Sequence, residues 1–353
     1  MIRFFYASVF VSGLLALAAA ILVLFPLHSP DSSPTTSQPT ATLPVAADAP
    51  PEPVSLLFFG DIMLGRNVEN HTNQKGDDYP YEKLRELIHS VDFAFVNLEG
   101  PIVSNHSQTP TGSFVFSFKD TSAEALARAG FDGVSLANNH TLNQGESGFV
   151  ETQQFLEEAG ILYTGHPFNM DASYAFQTTV RDLPLTFIGF NMTFPTDDPE
   201  AAVATIAELS RASQNQIIVM MHWGNEYEPH SDKRQQDLAH DLINAGADLV
   251  VGAHPHVVQE IEEYNGKLIF YSLGNFIFDQ YFSVETQQEL GVKFAIDEKG
   301  IISATLYPIE SIASQPQLMD ETDRQNFLKA LAERSDEALA PEIEAGVLTL
   351  TAE

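Results

Sequence analysis

Val251-Gly252-Ala253-His254-Pro255-His256-Val257 puts two imidazoles two residues apart at the end of the apolar run Leu249-Val250-Val251. In an extended backbone residues i and i+2 point the same way, so a strand end that continues straight aims both rings at one point. Imidazole nitrogen is the commonest neutral metal ligand. The same pair also fits two unrelated surface histidines in a turn, which Pro255 permits. Four further apolar runs decide between these readings, because each ends in a residue able to hold a metal. Val54–Phe59 leads into Gly60-Asp61, Phe93–Val96 into Asn97-Leu98-Glu99, Gly133–Ala137 into Asn138-Asn139-His140, and Ile217–Met221 into His222-Trp223-Gly224. In α/β sheets, sites form outside the carboxyl ends of strands.

Imidazoles, two carboxylates and an amide oxygen make a mixed N/O set, which suits Zn, Mn or Fe better than Ca. A carboxylate can bridge two ions about 3.5–4 Å apart, and such a pair activates water and stabilises both the attacking and the leaving oxygen of a displacement. His140, next to the possible ligand Asn139, is placed to act as a general acid or electrostatic stabiliser. Simpler roles stand beside these. Asp61 and Asn139 are also helix-capping residue types. Glu99 fits a solvated carboxylate at a strand end, and His222 beside Trp223 fits a packed core histidine. Arg66 suits either an anion or a surface ion pair, while Glu226 and Asn275 fit structural support. His28, His71, His89, His106, His166, His230 and His240 have no strand-end context and read as incidental.

The elements that must carry these residues alternate. Helical spacing is expected over Tyr81–Ile88, Ala123–Ala129, Gly148–Ala159, Glu200–Arg211, Lys233–Ala245 and Asp320–Leu339. Tyr174–Val180 and Leu185–Asn191 read as paired strands, and Gly112–Phe118 as an alternating strand or loop over the site. Asn265-Gly266 is a strong hairpin turn between Val257–Glu263 and Lys267–Ser272, and Lys299-Gly300 marks a second. Strands alternating with helices, with hairpins toward the end, predict an α/β layered domain with mixed sheets.

The chain has 353 residues, 44% of them hydrophobic, enough for one large domain or two small ones. No cysteine is present, which excludes disulfides, thiolate sites, cysteine nucleophiles and lipobox lipidation. A net charge of -31 repels nucleic acid and anionic headgroups, and it repels a polyanionic substrate unless metal ions supply local positive charge. Arg3 is followed by Phe4–Leu27 without a charged residue, long enough to span a hydrocarbon core. The basic residue before the run predicts a cytoplasmic N-terminus and an extracytoplasmic remainder. A cleaved signal peptide is the competing reading. The apolar run continues past the small residues Ala18-Ala19-Ala20, which favours an uncleaved anchor over 1–27 in a bacterial cell membrane. Residues 28–53, with seven prolines and eight Ser/Thr, read as an extended tether. A folded domain is expected from 54 to 312, followed by a C-terminal helix and tail over 313–353.

Six motifs in order carry a resemblance: Gly60-Asp61-Ile62-Met63, Asn97-Leu98-Glu99, Ala137-Asn138-Asn139-His140, His222-Trp223-Gly224-Asn225-Glu226-Tyr227, Gly252-Ala253-His254-Pro255-His256 and Tyr271-Ser272-Leu273-Gly274-Asn275-Phe276. Together they resemble the CapA (PgsA) family of poly-γ-glutamate capsule synthesis proteins, itself similar to calcineurin-like metallophosphoesterases. The resemblance implies a four-layer α/β/β/α sandwich with two mixed sheets, preceded by one N-terminal transmembrane helix. It implies two divalent ions. Asn139, His222 and His254 match ligands of one, and Asp61 and His256 match ligands of the other. Glu99 stands at the usual bridging position and His140 at that of the catalytic histidine. Met63 departs from the pattern, since it occupies the place of a histidine and leaves the first ion with Asp61, Glu99 and His256; Glu226 or Asn275 could fill the gap. Two functions follow as expectations. One is a metal-dependent hydrolase acting on a phosphoester or an amide. The other is a non-catalytic metal-binding or polymer-handling component of a capsule synthesis or export complex. The implied partners are other capsule synthesis proteins and an anionic polymer or phosphoester substrate, with no nucleic acid.

Overall fold

Leu56 and Phe58 point to one face of strand β1 (Val54–Ile62), and Leu57 and Phe59 point to the other, yet all four are buried. A strand apolar on both faces must lie inside a layered structure. The computed structural model, which describes residues 52–350, supplies those layers. After β1 come α1 (Arg66–Lys75), α2 (Arg85–Ile88), β2 (Phe93–Leu98), α3 (Ser122–Ala129), β3 (Gly133–Ser135), α4 (Gly145–Ala159) and β4 (Leu162–Thr164). The second half runs β5 (Phe176–Val180), β6 (Leu183–Asn191), α5 (Pro199–Ala212), β7 (Gln216–His222), α6 (Lys233–Ala245) and β8 (Leu249–Ala253). Then follow β9 (Ile261–Tyr264), β10 (Lys267–Phe270), β11 (Asn275–Ile277), β12 (Gln288–Asp297), β13 (Gly300–Ile312) and β14 (Gln315–Leu318). The described chain closes with α7 (Glu321–Arg334), α8 (Ala340–Ala345) and β15 (Val347–Thr349).

One sheet has the order β14-β13-β12-β1-β2-β3-β4, with β11 added beside β1 and β15 beside β13; the other has the order β5-β6-β7-β8-β10-β9. Both are mixed. β1 pairs parallel with β2 and antiparallel with β12, while β6 pairs parallel with β7 and antiparallel with β5. The sheets face each other across a core that joins Phe58, Phe95 and Phe294 to Phe187, Met220 and Val251. Phe95 and Phe187 stack across it with centroids 5.3 Å apart. The outer face of the first sheet is covered by Val68, Leu126, Phe149 and Leu156 of α1, α3 and α4. The outer face of the second is covered by Ile206 of α5 and Leu238 and Leu242 of α6. The order is therefore helix, sheet, sheet, helix.

Two glycines make the sheet ends that hold the site. A Cβ on Gly60 would lie 1.8 Å from the Gly274 carbonyl oxygen, and one on Gly252 would lie 2.0 Å from that of Tyr271. Only glycine allows these backbones to approach so closely.

Several expectations change. Asp61 lies inside β1, beside an irregularity in its pairing with β2, rather than in a turn after it. Tyr81–Ile88 contains only the short α2 after a 3-10 turn. Gly112–Phe118 forms a loop with a single bridge, Phe118 to Ile102. Strand Val257–Glu263 contracts to β9 because Val258 bridges to Leu273 instead. The expected helix Asp320–Leu339 is α7, capped by the Asp320 side chain, followed by a turn and α8. β14 and β15 pair with β13, so residues beyond 312 add to the first sheet. Among the described residues no helix is long and apolar enough to cross a membrane. The anchor expected over 1–27, and nearly all of the 28–53 tether, lie outside the described residues.

Candidate metal centre

Asp61, Glu99, Asn139, His140, His222, His254 and His256 stand at or just past the C-terminal ends of β1, β2, β3, β7 and β8. One ligand atom from each of Asp61, Glu99 and His256 falls within 4.8 Å of the others, and all three residues are buried. Both Glu99 oxygens are buried without a hydrogen-bond partner. Burial, and then the neighbouring Asp61 charge, push the Glu99 carboxyl well above its usual range. Buried carboxylates with no donor are costly unless a cation meets them. A divalent ion fits this donor set.

The two histidines reach the site by a route other than the expected one. β8 stops at Ala253, and His254 and His256 take φ of 96° and 58°. The backbone there is left-handed rather than extended, a conformation costing about 1–3 kcal/mol that persists where its surroundings impose it. The Asp61 carboxylate helps impose it: its Oδ2 accepts the His254 backbone N–H at 3.2 Å. The rings end with centroids 5.9 Å apart. His254 Nδ1 is buried with no partner. Burial, then the neighbouring His256, lower the His254 ring to about 3, so it is neutral and free to coordinate.

Hydrogen bonds determine which nitrogen of each ring is free. Asn275 Nδ2 donates to Gln280 Oε1 and to the Thr286 carbonyl, both at 3.0 Å, so its Oδ1 is the acceptor 2.9 Å from His256 Nδ1. His256 Nε2 is left facing Glu99, 3.9 Å from Oε1. The same logic holds for His140. Asn143 Oδ1 accepts the Phe116 backbone N–H at 2.7 Å and lies 3.0 Å from His140 Nδ1. His140 Nε2 is therefore the nitrogen turned toward Glu99, at 3.7 Å. Phe116 packs on the ring at 4.3 Å, and burial lowers its pKa.

His222 and Asn139 also meet, with Nε2 2.9 Å from Oδ1, and the His222 ring lies 4.7 Å from that of His254. Burial, then His254, hold His222 well below its ordinary pKa. Beneath them is an amide relay absent from the expected set. Asn138 donates to Asn97 Oδ1 at 3.1 Å, and Asn97 Nδ2 donates to Asp61 Oδ1 at 2.7 Å. Asn97 stands two residues before Glu99 on the same strand end, which is the one local signal that could have found it. Asn143 and Glu289, whose Oε1 accepts the Gly60 N–H at 2.9 Å, carry no comparable signal.

Of the supporting residues, Asn275 orients His256 as described. Arg66 is spent on an ion pair with Asp279, and its guanidinium lies between Phe116 and Phe278, 5.2 and 5.3 Å from the ring centres. Glu226 is exposed and lies within 4.8 Å of ligand atoms of both His254 and His256. Met63 is buried, with its sulfur 3.1 Å from the Gly65 N–H.

The family model for "Bacterial capsule synthesis protein PGA_cap" matches residues 55–280. The chain belongs to this family. Every candidate ligand from Asp61 to Asn275 lies inside the matched span, and the family is the one the six motifs resemble. The relative named "PGA biosynthesis protein CapA" from Bacillus subtilis (strain 168) is 31% identical over 315 residues, covering 84% of this chain and 82% of its own. "Capsule biosynthesis protein CapA" from Bacillus anthracis is 28% identical over 286 residues, covering 75% of this chain and 69% of its own. Among solved structures, purple acid phosphatase PPD1 from yellow lupin aligns at a TM-score of 0.37 and 10% identity, over 76% of this chain and 52% of its own, a likeness too distant to carry weight.

Proposed function

We propose that this family member works in capsule polymer synthesis or export, as a metal-dependent hydrolase held outside the cell membrane. The observation that carries the hydrolytic reading is the buried Asp61–Glu99–His256 cluster, in which two Glu99 oxygens lack any donor. Asp61, Glu99 and His256 would hold one divalent ion, and Asn139, His222 and His254 a second. Ions there supply Lewis-acid charge that polarises a phosphoryl or acyl oxygen. The substrate class is a phosphoester or an amide, and the names of the CapA relatives support an amide-linked capsule polymer. The membrane and extracytoplasmic placement rests on Arg3 and the run Phe4–Leu27.

The chain's own groups have definite tasks in this reading. His140 begins neutral, with its Nδ1 proton given to Asn143 and its Nε2 lone pair facing the site. It would therefore accept a proton at Nε2 from the attacking water and return it to the leaving group. Asn143 and Phe116 hold the ring in that orientation. Asn275 does the same for His256, and Asn97 fixes the Asp61 carboxylate.

One observation favours a second reading, a non-catalytic metal-binding component. Met63 offers only a thioether, and that sulfur faces the Gly65 N–H. Thioethers are poor ligands for Mn, so an Mn ion at Asp61 has three protein ligands from the expected set. Purified full-length chain, analysed for metal and assayed with Mn²⁺ on phosphodiesters and γ-glutamyl amides, separates the two readings. Turnover abolished by His140→Ala supports the hydrolase, and bound metal without turnover on either class supports the second reading.

A further inference from the structure

Glu226 has an unexplained position. It sits on the exposed loop between β7 and α6, where a free carboxylate has every reason to point into solvent. Yet its carboxylate, a nitrogen of His254 and a nitrogen of His256 all lie within 4.8 Å of one another. The loop is fastened in place. Tyr227 takes a positive φ of 66°, its N–H donates to the Pro255 carbonyl at 2.8 Å, and its hydroxyl accepts from Gln280 at 3.2 Å. The first bond ties the residue after Glu226 to the peptide between the two histidines, and the second ties it to Gln280. A second observation points to a ligand there: His254, 94% buried by its 6% exposure, has an Nδ1 with no hydrogen-bond partner. Asn275, the other residue able to compensate for Met63, has its oxygen on His256 and its nitrogen on Gln280 and Thr286. Arg66 is paired with Asp279.

We infer that Glu226 is a metal ligand, supplying from the solvent side the further ligand that the Asp61–Glu99–His256 ion lacks, at a point also within reach of His254. This inference rests on the metal-centre reading above and adds to it a ligand from the loop between β7 and α6. Because Glu226 is exposed, it would be the ligand most readily displaced by a substrate oxygen.

The test is calorimetric titration of the full chain with Mn²⁺, alongside Glu226→Ala, Glu226→Gln and Glu228→Ala. Removing a group that acts on the ion costs about 10–100-fold in affinity or more. Glu226→Ala should therefore weaken a Mn²⁺ site by at least about 10-fold. Glu226→Gln, which keeps an oxygen donor, should lose less. Glu228→Ala removes an equal charge from the same exposed loop and should change affinity by no more than about twofold, the scale of a screened surface charge. Thermal melts of the metal-free variants, with the side chain exposed, should coincide with the unaltered chain. Unchanged Mn²⁺ affinity in Glu226→Ala, or an equal loss in Glu228→Ala, overturns the ligand assignment alone. No binding of Mn²⁺, Zn²⁺ or Fe²⁺ by the unaltered chain overturns the metal-centre reading beneath it.

Discussion

Asn275 Oδ1 lies 2.9 Å from His256 Nδ1, and the Asn275 amide nitrogen is engaged by Gln280 and Thr286. A buried side chain 19 residues away in sequence thus decides which face of the His256 ring is free. Asn275→Ala breaks this arrangement and leaves buried acceptors unpaired, each worth about 1–3 kcal/mol. The variant should melt several degrees lower and bind Mn²⁺ about 10–100-fold more weakly. Melting curves with and without the ion measure both effects; an unchanged affinity would mean that His256 needs no such orientation.

Glu99→Gln should move stability in opposite directions with and without metal. In the metal-free chain its carboxyl is buried with no hydrogen-bond donor, and burial and the Asp61 charge outweigh the attraction of His256, 3.9 Å away. Removing that charge should raise metal-free stability by on the order of 1 kcal/mol. The part of the metal gain owed to the Asp61–Glu99–His256 ion, about 2.7 kcal/mol at 100 times Kd, should be lost. Denaturant titration with and without Mn²⁺ checks the reversal, and a Gln variant stabilised by Mn²⁺ as fully as the unaltered chain would remove Glu99 from the ligand set.

The metal-free chain should lose stability in mildly alkaline solution. Burial opposes charge on His256, but the Glu99 and Asp61 carboxylates outweigh it and raise the ring to about 9. The folded value lies above the ordinary value of about 6.5. The stabilisation is thus complete below about pH 6.5 and is lost as pH rises through the folded value. Melting temperature with chelator should fall across that window. Bound metal displaces the proton, so the fall should vanish at saturating Mn²⁺. A metal-free melting temperature that climbs across the same window contradicts the charge pattern assigned here.

His140→Ala should abolish hydrolysis and leave metal content nearly unchanged, because His140 faces Glu99 at 3.7 Å while its other nitrogen is held by Asn143. Asn143→Ala should act through His140, lowering kcat by about 10-fold or more with little change in KM. Loss of metal in His140→Ala would mean the ring is a ligand.

The layers, and the strand ends where the candidate ligands stand, were legible because they depend on local pattern. β1, β2, β7 and β8 are continuous apolar runs, and Asp61, Glu99, His222 and His254 stand at their ends. What escaped depends on contacts across the chain. α1 follows Asp61 with a polar sequence that no apolar stripe announces. β4 and β11 have three residues each and exist because neighbouring strands accept them. His254 and His256 converge through left-handed backbone that no alternation rule anticipates. Arg66 faces Asp279, 213 residues away, and Asn143 reaches a loop oxygen-to-nitrogen contact with Phe116 that its own neighbourhood does not encode.

The most direct measurement is the metal content of the purified full-length chain, by elemental analysis after dialysis against chelator and reloading with Mn²⁺, compared with Asp61→Ala and His254→Ala. A two-ion centre predicts close to two equivalents in the unaltered chain and a loss of at least one in each variant. A chain that retains no divalent metal under any loading condition, while folded by its melting curve, would contradict the centre and with it the proposed chemistry.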